Sequence, residues 1–188
     1  LRELMESVGL NVRTYSSAQA LLNDYSNEWR GCLLLDVRMP GMSGLKLQEE
    51  LNQRDSGLPI LFLTAHGDIP MAVDAVRRGA LDFIEKPAGG QLLLDKVHEA
   101  IRTGIRSREA KARKRAVDAK LALLSPREQE VLDHVKEGRS AKAIAHEMGL
   151  NRKTIDWHLV TIRQKMEVGS VSELLLLLHR AGRLQPIE

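Results

Sequence analysis

The sequence predicts an open α/β domain built on a parallel sheet, followed by a smaller all-α domain. Three observations carry this. The apolar run Leu33-Leu34-Leu35 stops at Asp36 and passes into Val-Arg-Met-Pro-Gly-Met-Ser-Gly over residues 37–44. Two later runs end the same way, Ile60-Leu61-Phe62-Leu63 in Thr64 and Leu81-Asp82-Phe83-Ile84-Glu85 in Lys86-Pro87, at a spacing that suits βαβ units. From residue 121 onward the apolar pattern is helical only.

Length and composition agree with two domains. A chain of 188 residues exceeds the usual single-domain size, and 43% hydrophobic residues with 3% aromatic ones fill two aliphatic cores. No apolar run approaches the length of a membrane span and the first residues do not read as a signal peptide, so a cytoplasmic protein with no membrane partner is expected. The one cysteine, Cys32, sits in a strand run as a small core residue; no disulfide or Cys-based zinc site follows from it, and the six His lack metal spacing.

The net charge of +3 hides a division. Residues 1–101 carry 10 basic and 14 acidic side chains, residues 102–120 carry 8 and 2, and residues 121–188 carry 10 and 9. These three segments are the predicted first domain, linker and second domain.

In the first domain, Leu1 to Met5 reads as the middle of a helix that runs to a Gly9 cap. A strand is expected around Val12, then the three strands named above. Ligands of open α/β sheets sit outside the carboxyl ends of the strands, so Asp36, Thr64 and Lys86 are expected to meet at one sheet edge. A carboxylate there is open to solvent while rooted in a rigid core, and so is placed to do chemistry. Singly, each has a plainer reading: a turn Asp, an edge Thr, a solvated Lys, a core Phe83. Their order and spacing carry the argument. His66 is read as a loop residue with no role.

Those residues, with D-x-R-M-P-G-M-S-G and T-A-H-G-D-I-P-M-A-V at 64–73, resemble the receiver domain of two-component response regulators. The resemblance implies a flavodoxin-like five-stranded parallel sheet of order 2-1-3-4-5. It also implies Asp36 as phosphoacceptor, Thr64 and Lys86 as phosphoryl-binding partners, and Thr64 and Phe83 as switch residues. It further implies Mg²⁺ held by Asp36 and the backbone carbonyl of Arg38 together with an acidic pair at the end of the first strand. That strand and that pair are absent from this sequence. Because it would lie centrally, between the Val12 and Leu34 strands, the sequence reads as a piece of a longer product, with a degenerate receiver as the alternative.

Residues 102–120 have no Pro and many helix formers, and read as a helical linker continuing the last helix of the first domain. Their charge is read as a solvated face, or as a basic arm with non-specific DNA affinity.

Beyond the linker, Ser125-Pro126-Arg127-Glu128 is a capping box with Pro at the first helical position, and Gly138 ends that helix. Ser140 starts a short helix closed by Gly149, and Asn151 caps the next, through Met166. Two short helices joined by a Gly-containing turn read as a helix-turn-helix. Ile155, Leu159, Ile162 and Met166 form a core stripe on the second helix, leaving Lys153, Asp156, Trp157, Val160, Arg163 and Gln164 outward. An exposed Trp157 is read either as a DNA contact or as a protein contact.

The segment from L-S-P-R-E-Q-E-V-L to I-R-Q-K-M resembles the LuxR/FixJ-type DNA-binding domain over nearly all of residues 121–184. The resemblance places Asp156, Trp157 and Val160 at base edges, and Lys142, Lys153, Thr154, Arg163 and Lys165 at phosphates. The five consecutive Leu from Leu174 to Leu178 cover a helix on every side. By resemblance Leu174, Leu175 and Leu178 supply a dimer contact; a core-only role is the alternative.

The expected function is a DNA-binding transcriptional response regulator, phosphorylated on Asp36 by a sensor histidine kinase and binding double-stranded DNA as a homodimer. The alternatives are a metal-dependent aspartyl-phosphate phosphatase or phosphotransferase, and a phosphorylation-independent DNA binder.

Overall fold

The computed structural model describes residues 1–65 and 69–184. Residues 66–68 of the T-A-H-G-D-I-P-M-A-V motif, His66 among them, lie outside the described residues. The chain divides into two compact units, Leu1–Arg108 and Glu109–Glu188. Among the described residues, no helix is long and apolar enough to cross a membrane.

The first unit is a doubly wound sheet. Its strands β1 (Leu33–Leu35), β2 (Ile60–Thr64) and β3 (Asp82–Glu85) are parallel and lie in the order β1-β2-β3. The register pairs Leu34 with Leu61 and Phe62 with Phe83. Parallel strands covered on both faces read as unbroken apolar runs, and β2 obeys this with all five residues buried.

Alternation along β2 divides the core. Ile60 and Phe62 face a cluster with Leu21 and Leu22 of α2 (Ala18–Asp24), Leu47 and Leu51 of α3 (Gly44–Gln53), and Ala75 of α4 (Ile69–Arg77). Leu61 and Leu63 face Met5 of α1 (Arg2–Glu6) and Leu93, Val97 and Ala100 of α5 (Gly90–Leu121). Leu47 and Leu51 are entirely buried, and truncating either to Ala would cost about 2–5 kcal/mol.

The start of the chain departs from expectation at one place. Helix α1 ends as predicted, with Gly9 in the left-handed region at φ +80°. The segment around Val12 is not a strand. A strand exists only through its ladder, and among the described residues none pairs with it; the partner in the 2-1-3-4-5 order would be the first strand. Leu10 and Val12 are still packed against the α1–α5 face of the sheet.

The second unit is helical. After the end of α5 come α6 (Pro126–Lys136), α7 (Ala141–Glu147), α8 (Arg152–Met166) and α9 (Val171–Arg180). The predicted capping box is complete: the Ser125 hydroxyl accepts from Glu128 N, and the Glu128 carboxylate accepts from Ser125 N. Ser140, Asn151 and Ser170 cap the following helices in the same sense, each accepting from a first-turn amide. One core holds Val131, Leu132 and Val135 of α6, Ile144 of α7, Ile155, Ile162 and Met166 of α8, and Leu174 and Leu178 of α9. Leu159 packs against that core half-buried, completing the stripe read from the sequence.

The charged stretch 102–120 lies inside α5. Its Val117 is buried in the core of the second unit. Within that unit Lys120 Nζ reaches Glu167 at 2.9 Å, and Arg183 clasps Asp118 through two bonds of 2.6 Å.

Candidate phosphoacceptor site and nucleic-acid interface

Asp36 follows the last residue of β1, Thr64 is the last residue of β2, and Lys86 follows the last residue of β3. Parallel strands in register carry all three to the carboxyl edge of the sheet. There Lys86 Nζ lies 2.8 Å from Asp36 Oδ2. Lys86 N also donates to the Thr64 carbonyl at 2.7 Å, tying the end of β3 to the end of β2. Thr64 is 1% exposed, whereas the Asp36 and Lys86 side chains are 39% and 37% exposed. The carboxylate is therefore open to solvent, and Thr64 is not.

The loop after Asp36 is shaped around it. Arg38 N donates to Asp36 Oδ1 at 3.1 Å, and Gly44 N donates to the Val37 carbonyl at 3.0 Å. Burial alone would raise the Asp36 pKa. The Lys86 and Arg38 hydrogen bonds and the Lys86 charge outweigh it, and the carboxyl is held below its ordinary value. Asp36 is thus an anion at neutral pH with an ammonium beside it. Phe83 is half-buried, its ring 6.2 Å from that of Phe62.

Gly44, the last residue of the D-x-R-M-P-G-M-S-G stretch, belongs to this site as well. A Cβ there would fall 2.3 Å from the Asp36 carbonyl oxygen and 2.9 Å from Phe62 Cε1. Helix α3 can begin this close to the strand end only because residue 44 has no side chain.

The residues described here do not by themselves fit a resident Mg²⁺. They bring one carboxylate and the Arg38 carbonyl, and both Asp36 oxygens already accept hydrogen bonds. Among the described residues, no group of three His, Cys, Asp or Glu is placed to hold a metal ion.

On the second unit, Trp157 and Val160 are 61% and 41% exposed on α8, and Lys153 and Asp156 are exposed on the same helix. Thr154 is half-buried, and Lys142 is exposed on α7. Asp156 lies 3.8 Å from Arg152 Nε, one turn back. Two residues assigned by resemblance to phosphates are instead engaged inside the unit. Lys165 Nζ lies 2.7 Å from Oε2 of the buried Glu128, and Arg163 donates to the carbonyls of Leu159 and Gly169 at 3.3 and 3.1 Å. The Lys165 ammonium is thus held by a buried carboxylate.

The leucine run also needs correction. Leu174 and Leu178 are 0% exposed, filling the core of their own unit, so neither can form a contact with a second chain. Leu175 is half-buried and Leu176 is 46% exposed. Helical geometry turns residues 174 and 178, four apart, to one side, and Leu176 away from it.

Residues 1–98 match the family described as "Response regulator receiver domain", and residues 122–178 match "Bacterial regulatory proteins, luxR family". "Transcriptional regulatory protein FixJ" of Bradyrhizobium diazoefficiens is 38% identical over 184 residues, 98% of this chain and 90% of that protein. The chain belongs to the response regulators that join a receiver to a LuxR-type domain. This response regulator is a DNA-binding transcriptional regulator. "Response regulator protein TmoT" of Ectopseudomonas mendocina is 41% identical over 180 residues, 96% of the regulator and 82% of that protein. The structure of "Response regulator StyR" superposes with a TM-score of 0.80 at 40% identity, covering 95% of the regulator and 90% of that chain. The regulator shares the receiver fold, with three strands among its described residues.

Proposed function

We propose that the regulator accepts a phosphoryl group on Asp36 from a phosphohistidine of a sensor kinase. A carboxylate oxygen attacks phosphorus; the N–P bond breaks, an O–P bond forms, and imidazole leaves. Lys86 shifts its ammonium toward the new phosphoryl oxygens, and Thr64 contributes its hydroxyl to the same group. Phe83 follows the Thr64 end of the sheet as the switch that carries the added charge outward. The observation behind this reading is the 2.8 Å contact of Lys86 with Asp36 at the edge that also carries Thr64. Asp36 and the Arg38 carbonyl are the ligands this sequence offers to the Mg²⁺ typical of receivers.

In the same reading, Trp157, Val160 and Asp156 reach base edges of double-stranded DNA, and Lys142, Lys153 and Thr154 contact phosphates. Two copies meet through Leu175 and Leu176, matching a two-fold operator. The receiver spans residues 1–101, the linker 102–120 and the DNA-binding domain 121–188, in the cytoplasm.

The test is intact-mass measurement after incubation of the chain with acetyl phosphate, with Mg²⁺ titrated. One phosphoryl group on wild type and none on Asp36→Asn is expected. Equal labelling of both would remove the assignment, continuous turnover of an organic phosphate would favour a phosphatase, and unlabelled protein that still binds its operator would favour a phosphorylation-independent regulator.

A further inference from the structure

The amino ends of β1 and β2 form the sheet edge opposite Asp36, and α5 crosses them closely there. A Cβ on Gly104 would stand 2.9 Å from Pro59 Cδ and 3.3 Å from the Gly31 carbonyl oxygen. One helical turn later, Arg108 lies along Gly57, its Nε 3.5 Å from where a Cβ of that glycine would sit. Its Nη1 is shut off from solvent and has no hydrogen-bond partner. Arg30 immediately precedes Gly31, where α5 makes this crossing. Desolvation first, and then the charge of Arg30, lower the Arg108 pKa.

Arg30 donates to the backbone carbonyls of Glu28 and Trp29, and among the described residues neither arginine has a carboxylate partner. The Arg30 loop is held in place: the Trp29 ring meets Tyr25 at 5.7 Å and Tyr15 at 5.9 Å between centroids.

A guanidinium offers five N–H donors in a fixed fork that matches phosphate and carboxylate oxygens. Leaving a buried donor unpaired beside a second cation is unfavourable twice over, in desolvation and in repulsion. An oxyanion relieves both. Two guanidinium groups without an acidic partner carry two positive charges, which a phosphate dianion balances and a single carboxylate does not.

We propose that Arg30 and Arg108 form a binding site for a phosphate-class dianion, either free phosphate or a small phosphomonoester, on the edge of the sheet away from Asp36. Occupancy ties the start of β1 to α5. It is independent of the phosphoacceptor reading, since the two sites lie at opposite ends of the strands.

Titration calorimetry and thermal unfolding of the full chain with inorganic phosphate, at ionic strength matched with sodium chloride, test this. One phosphate per chain is expected for wild type and equally for Asp36→Asn, with affinity at least tenfold weaker in Arg108→Met. Arg108→Lys, which keeps the charge and loses the fork, is expected to fall between. Without phosphate, Arg108→Met is expected to unfold at a higher temperature than wild type, because a half-buried cation with an unpaired buried N–H is gone; a side chain with a purely structural role would give the reverse. Glycerol phosphate in a parallel titration identifies the source: tighter binding than inorganic phosphate points to a monoester, weaker to the free ion. No binding above the chloride control, equal binding by Arg108→Met, or loss of binding in Asp36→Asn would each overturn the proposal.

Discussion

A side chain on Gly44 would collide with the carbonyl oxygen of Asp36, its Cβ falling 2.3 Å away. The backbone of the proposed phosphoacceptor is thus fixed by a residue that has no chemistry of its own. Gly44→Ala is expected to destabilise the first unit by about 1–3 kcal/mol, the usual range for overpacking, and to slow phosphoryl labelling of Asp36. Denaturant unfolding and a labelling time course check the two effects, and normal values of both would show that the strand end gives way.

The ion pair of Asp36 and Lys86 predicts a direction in pH. The folded-state pKa of Asp36 is lowered, so its contribution to stability is present above the pKa of the unfolded chain and is lost as pH falls through the folded value. In Lys86→Met that pKa is expected to move back up toward the ordinary carboxylate range, as read by NMR titration of the Asp36 carboxyl. With the side chain 39% exposed, solvent screening keeps the stability effect small.

Glu128 is 4% exposed, and Lys165 is its cationic partner. Lys165→Met is expected to leave the carboxylate short of a partner and to cost the second unit about 1–3 kcal/mol, the range for an unsatisfied buried group. Binding to all DNA sequences should fall no further than the loss of folded protein explains. A drop in the salt dependence of binding by about one unit would instead restore Lys165 to the phosphate contacts.

Lys153 and Trp157 separate two kinds of DNA contact on an operator selected in vitro. Lys153→Ala is expected to weaken binding to every sequence alike and to lower the salt slope by about one. Trp157→Ala is expected to relax preference at one or two positions per half-site, with discrimination falling by about 1–3 kcal/mol. Unchanged preference with altered self-association would assign the indole to a protein contact.

Leu176 and Leu174 make an internal control for dimerisation. Leu176→Asp is expected to weaken self-association in sedimentation with little change in folding. Leu174→Ala is expected to cost stability by about 2–5 kcal/mol, as cavity formation in a core does. Unchanged self-association in Leu176→Asp would move the dimer contact off this helix.

What the sequence revealed follows the range over which each signal acts. Strand ends at Asp36, Thr64 and Lys86 were legible because an apolar run that stops at a polar residue is a local pattern. The capping box at Ser125 and the stripe Ile155, Leu159, Ile162, Met166 were legible for the same reason. The pairing of Lys165 with Glu128 was not, since 37 residues separate them and a surface lysine gives no hint of its partner. The leucine run was ambiguous because five identical residues erase the period that normally marks the inward face. The Val12 segment misled in another way: it has a strand's composition, but a strand also needs a neighbour.

Both faces of β2 being apolar has a consequence for how the sheet finds its alignment. Where one face of a strand meets water, a slip of one residue is rejected because it exchanges oily and wetted side chains. In Ile60–Thr64 such a slip would merely trade Ile60 and Phe62 for Leu61 and Leu63, one greasy set for another. Alignment then depends on shape. The phenyl ring of Phe62 nestles against bare backbone at Gly44, and only in that register does the bulkiest side chain of the strand come opposite the smallest residue in the chain.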